Sequence, residues 1–135
     1  MNRTNINTAI YNRLSGGTAL TTALGGTAVY FQNAPDGKAL PYVVFTAASR
    51  IDENESPHRT VNMLYYIRAY ASTPVQAASI DAEIDTLMHD NALTITGVTS
   101  NFWCMREQSF DLVEMDSSTR RVYSCGAEYR IRIDI

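Results

Sequence analysis

Two histidines, two cysteines and one close group of carboxylates are the residues of this 135-residue chain that a reaction could recruit. His58 follows Pro57 in a polar stretch, and His89 stands where a helix should end. A nucleophilic hydrolase needs a base beside its nucleophile and a third group to orient that base. Neither histidine has that company in the pattern, and the helix dipole alone favours a histidine in a last turn. Zinc is held by ligands that usually come in pairs a few residues apart, whereas Cys104, Cys125, His58 and His89 are scattered singly. Asp52, Glu53 and Glu55 crowd together but lack the ligand spacing and turn glycine of a calcium loop, so they read as a solvated connection. Gly16-Gly17 and Gly25-Gly26 bracket Thr18 to Leu24 without the Gly-Lys-Ser/Thr of a phosphate-binding loop. They follow apolar periodic segments, which is where glycine closes a helix. The sequence therefore assigns no catalytic residue, no cofactor and no metal, and the chain is expected not to be an enzyme.

The charge balance excludes further classes. A formal net charge of −3 with 45% hydrophobic residues is ordinary for a globular domain. It gives no general electrostatic reason to wrap nucleic acid or coat an anionic membrane. Arg120, Arg121, Arg130 and Arg132 form a modest basic group, but Glu128 and Asp134 are interleaved with it. Tyr123 and Tyr129 of that segment fall on the opposite parity from Arg130 and Arg132, whereas nucleic-acid readers combine the two on one face. Ten of the eleven basic residues are arginine, Lys38 being the exception. Arginine suits interfacial ion pairs, although genomic base composition produces the same skew. The opening MNRTNINTAIYNRL lacks a secretory signal's apolar stretch, and no segment approaches the roughly eighteen apolar residues of a membrane span. Synthesis and retention in a cytoplasm, with no membrane partner, are the expectation.

The elements that would position any site follow from periodicity. Ile6, Ile10 and Leu14 share a helical face from about Thr4 to Ser15, and Thr18 to Leu24 forms a second short helix. Strands are expected over Thr27–Gln32, Pro41–Ala48 and Thr60–Ala71. The turn Ala34 to Gly37 follows the first of these, and a polar connection runs from Asp52 to Arg59. Thr73-Pro74-Val75-Gln76 combines a capping threonine, proline at the first helical position and glutamine three residues after the cap. Ala77, Ile80, Ile84, Leu87 and Met88 continue it as one apolar stripe that should end near Asp90-Asn91. Ala92 to Glu107 should hold one or two strands broken near Gly97. Gln108 to Thr119 reads as a long connection. From Arg121 to Ile135 the chain alternates strictly, as a half-buried strand requires. The fold class is α+β: an antiparallel or mixed β-sheet with helices packed on one face, a single domain over 1–135.

Surplus apolar residues then stand out. Phe110, Leu112, Val113 and Met115 make the 108–119 connection too apolar for a solvent loop. Either it folds back over the core, or it meets another chain. A final strand running to the last residue could be a sheet edge, and exposed edges invite pairing with another chain.

The order of short motifs resembles the phage tail completion family. Ala9-Ile-Tyr-Asn-Arg-Leu14, Leu20-Thr-Thr-Ala-Leu-Gly-Gly26 and Val29-Tyr30 match its opening. The Ala34-Pro35 turn leads, as in that family, into Leu40-Pro41-Tyr42-Val43-Val44-Phe45. A strand ending at Tyr70, a helix carrying Leu87-Met88-His89 near its end, and the closing Tyr129-Arg-Ile-Arg-Ile133 continue the likeness over most of the chain.

The resemblance implies a tail terminator: a subunit of a hexameric ring on the head-proximal end of the tail tube, at the tail–neck junction of a virion. Its partners would be further copies of itself, the major tail tube protein and the head-completion (stopper) protein of the neck. DNA would pass through the lumen unread. A ring needs two different patches that meet with a rotation that closes. Phe110, Leu112, Val113 and Met115 are expected to supply one. Asp52, Glu53, Glu55 and Arg59 are expected at an end that faces tube or neck. Two alternatives stand beside this reading: a head-completion ring one layer toward the head, and a small ligand-binding α+β module.

Overall fold

The computed structural model describes residues 3–54, 59–98, 100–117 and 120–134. The three helices are α1 (Arg3–Ser15), α2 (Thr18–Leu24) and α3 (Pro74–Met88). The strands are β1 (Val29–Phe31), β2 (Tyr42–Asn54), β3 (Arg59–Ala71), β4 (Ser100–Ser117) and β5 (Arg120–Asp134). They form one mixed sheet in the order β1-β2-β3-β5-β4, parallel only between β1 and β2. This is the expected α+β class.

The local reasons are those legible in the chain. Gly25 ends α2 in the left-handed conformation at φ 74°, and its N–H donates to the carbonyls of Thr21 and Thr22. Thr73 caps α3 by accepting from the Gln76 amide at 3.2 Å, with Pro74 at the first position. All three helices lie on one side of the sheet. Ile6, Ile10 and Leu14 of α1, Leu20 of α2, and Ile80, Ile84 and Met88 of α3 are buried with Ile67 of β3 and Tyr129 and Ile131 of β5. Each such aliphatic side chain contributes about 1.5–3 kcal/mol by leaving water. α1 is tied to the end of α3 by Arg13, which donates to the carbonyls of Leu87, Asn91 and Ala92 at 2.9–3.2 Å. The Leu87 carbonyl belongs to the last turn of α3, where carbonyls lack intrahelical partners, and a cation is favoured at that end of the dipole.

The C-terminal half departs from the expectation in three places. Residues 108–117 are not a connection but the second half of the 18-residue strand β4. Register shifts at Asn101/Trp103, Arg106/Gln108 and Met115/Ser117 interrupt its period of two, so the pattern alone does not reveal it. The alternating final strand is not an edge. β5 pairs β3 on one side and β4 on the other, and β4 takes the edge instead. Residues 92–98 form no strand, although Leu93 and Ile95 are buried against the core. At the other end of the sheet, β2 extends to Asn54 and β3 starts at Arg59, so Asp52, Glu53, Asn54 and Arg59 of the supposed polar connection are strand; residues 55–58 lie outside the described ones.

Candidate subunit interface

The helices occupy one face; the other carries no helix, although the 32–38 segment stands beside Tyr42, Val44, Tyr70 and Val122 at one end of it, and strand parity decides what stands on the rest. In β3 the core takes Val61, Met63, Tyr65, Ile67 and Ala69, so Tyr66, Arg68 and Tyr70 point the other way and are half-buried. In β5 the same rule buries Tyr129, Ile131 and Ile133 and turns Glu128, Arg130 and Arg132 outward. The helix-free face therefore collects aromatic rings. Tyr42 stacks on Tyr70 with centroids 5.2 Å apart, Tyr30 meets Tyr42 edge-on at 6.4 Å, and Tyr66 meets Phe110 edge-on at 6.0 Å.

Gly126 makes the last of these contacts possible. It lies between Arg68 of β3 and Phe110 of β4 in the register. A Cβ there would stand 2.6 Å from the Ile67 carbonyl oxygen and 3.0 Å from Arg68 Cγ. The gap left by the missing side chain is bridged by its neighbours. The Arg68 guanidinium carbon lies 5.1 Å from the Phe110 centroid and 5.5 Å from that of Tyr66, within cation–π range of both. Among the described residues Arg68 has no ion pair, in contrast to Arg130 with Glu107 at 2.6 Å and Arg132 with Glu53 at 3.2 Å.

The residues singled out in the sequence divide into two groups. Phe110 is half-buried on the helix-free face, while Leu112 and Val113 are 45% and 62% exposed on the edge strand. Met115 lies opposite Arg121 at the far end of the same hairpin. Beside Leu112 and Val113, a shallow groove of about 430 Å³ runs between the start of α3 and the β4–β5 pair, lined by Pro74, Ala78, Tyr123 and Cys125. Asp52, Glu53 and Arg59 gather at the opposite end of the sheet. Arg59 binds Asp52 at 3.0 Å, Arg50 approaches the same carboxylate at 3.5 Å, and Glu53 accepts from Arg132. This end is a neutralised ion-pair network, not a free acidic cluster. Glu55 and His58 lie outside the described residues. Along β3 the two groups are roughly 35 Å apart, at about 3.3 Å per residue from Thr60 to Ala71.

The other candidates for chemistry are absorbed into structure. His89 is the residue after α3, and its Nδ1 accepts from the Arg106 amide at 3.1 Å. Cys104 is fully buried, and that burial pushes its thiol up to about 12. Cys125 is also buried, and desolvation with Asp111 nearby pushes its thiol up to about 11. Both changes oppose thiolate formation. Among the described residues no group of three or more His, Cys, Asp or Glu side chains could hold a metal ion, and no helix is long and apolar enough to cross a membrane. The sequence reading missed Arg68, Tyr66, Tyr42 and Tyr70. The signal was present in the parity of Tyr66, Arg68 and Tyr70, but only the register shows that Phe110 joins them.

An aromatic sheet face, an apolar edge strand and a paired polar tip, with no grouped catalytic or metal-binding side chains among the described residues, are the features this fold presents. The model of the family "Tail completion protein gp17" matches residues 8–134, and the chain belongs to that family. It is thus a structural component of a phage tail and a part of the virion; the family is not one of enzymes. Among solved structures, a chain from the virion of a native gene transfer agent particle is similar in fold. Its TM-score is 0.81 at 15% identity, covering 96% of this chain and 95% of that one. A second solved chain matches with a TM-score of 0.62 at 16% identity, covering 100% of this chain and 97% of that one. No curated protein sequence matches.

Proposed function

We propose that this protein forms a closed ring, a hexamer as in the family it resembles, on the head-proximal end of the tail tube. There it stops tube polymerisation and offers its other side to the head-completion protein of the neck. The observation that carries this reading is the pair of unlike patches at opposite ends of one sheet. The apolar edge at Phe110, Leu112, Val113 and Met115 and the ion-paired tip at Asp52, Glu53 and Arg59 are chemically different surfaces. Unlike patches suit a heterologous contact that closes by rotation, together with end contacts to different partners. The major tail tube protein and the stopper are those partners, and DNA crosses the lumen without being read. The net charge of −3 is compatible with a lumen that does not hold phosphates.

The test is the mass of the purified protein in solution, with and without tail tubes, followed by imaging of the particles. A ring, free or formed only at one tube end, supports the reading. A ring that binds the head-side connector and ignores tubes would place the protein one layer toward the head. A monomer that ignores both would overturn the proposal.

A further inference from the structure

We propose that the helix-free sheet face of one copy receives the outer surface of α3 from the next copy, with Arg68 pairing to Glu83 across the contact. This rests on the ring reading and names the two surfaces that would meet.

On the sheet side, Arg68 is a cation on the face no helix covers, held between the rings of Tyr66 and Phe110 and without an ion pair among the described residues. Its neighbours Tyr42 and Tyr70 add stacked aromatic surface. Arginine and tyrosine anchors are among those that dominate binding energy at protein interfaces. Ordering a guanidinium between two rings beforehand reduces the entropy lost when a carboxylate arrives.

On the helix side, α3 carries Asp81, Glu83 and Asp85 and no Lys or Arg. Arg106 takes Asp81 at 2.7 Å and approaches Asp85 at 3.9 Å, while Glu83 has no ion pair among the described residues. The outward stripe of α3 is small and exposed: Val75, Ala78, Ala82 and Thr86, with Val75 80% exposed. Small residues let a helix approach an aromatic face closely, and the Glu83 carboxylate beside them is a charge partner for Arg68. The two surfaces lie on opposite sides of the domain, so the contact is heterologous and passes from copy to copy.

The experiment uses the full chain added to tail tubes, with assembly read by sedimentation and imaging. Arg68→Glu and Glu83→Arg should each lower ring occupancy of tube ends at least tenfold, and the double variant should restore it. Glu83→Arg changes only the helix surface, so it carries the test even if Arg68→Glu perturbs the sheet. Rings formed by either single variant as by the wild type would overturn the contact and leave the ring reading intact. Single variants that fail without rescue in the double, although each melts like the wild type, would overturn the Arg68–Glu83 pairing. Failure of the wild type itself to form rings would overturn the ring reading and this inference with it.

Discussion

The guanidinium of Arg106 on β4 grips the carboxylate of Asp81 on α3 through two hydrogen bonds, at 2.7 and 3.1 Å. Both side chains are less than one-fifth exposed, and the same guanidinium donates to the Tyr129 hydroxyl at 3.0 Å and to Ser109. The pair joins the edge strand to the helix layer at the point where a register shift turns Arg106 inward. Removing one member leaves the other partly buried without its partner. Asp81→Asn should therefore destabilise the fold by about 2–3 kcal/mol. Equilibrium denaturant unfolding measures this, and a change below about 0.5 kcal/mol would show that water replaces the contact.

Gly126 is a position where an added methyl group has nowhere to go. Its Cβ would press on the Ile67 carbonyl of the neighbouring strand, and backbone cannot yield as a side-chain end can. Gly126→Ala should cost about 1–3 kcal/mol through overpacking, and it should also displace Arg68 from Phe110. A thermal melt reads the first effect. A stable Gly126→Ala variant would mean that β3 and β5 separate without loss.

Alkaline pH should weaken the protein before any acid effect of these groups is seen. Burial pushes the Cys104 thiol from 9.0 to about 12 and the Tyr65 hydroxyl from 10.0 to about 12. In each case the folded pKa lies above the unfolded one. The unfolded chain therefore sheds protons that the folded chain still holds, and stability falls as pH rises from about 9 to 12. The contribution is complete below pH 9. Melting temperature should be level from pH 7 to 8.5 and decline steadily above pH 9; a flat profile to pH 11 would contradict the burial of these groups.

Leu112 and Val113 are exposed on the edge strand, so replacing both with Asp should shift stability by no more than about 0.5 kcal/mol each. Assembly should respond quite differently, because two carboxylates would be buried in the proposed contact without partners. The doubly substituted protein is expected to fold as the wild type does and to leave tube ends open. Undiminished ring formation would remove these two residues from the interface.

Local structure in this chain was legible wherever one residue type has one physical use. Thr73, Pro74 and Gln76 marked the start of α3, Gly25 the end of α2, and strict alternation from Tyr123 to Ile133 a strand with one buried face. The motif order pointed to the tail completion family, and the absence of grouped ligands pointed away from chemistry. Tertiary structure alone decided the rest, because pairing partners are distant in sequence and shifts in register erase the period of two. It made β4 the edge and β5 a central strand, turned residues 108–117 from a connection into half of a hairpin, and neutralised the Asp52–Arg59 tip with Arg50 and Arg132. It also brought Phe110 across Gly126 to Arg68, a relationship between residues on three strands that no window along the chain contains.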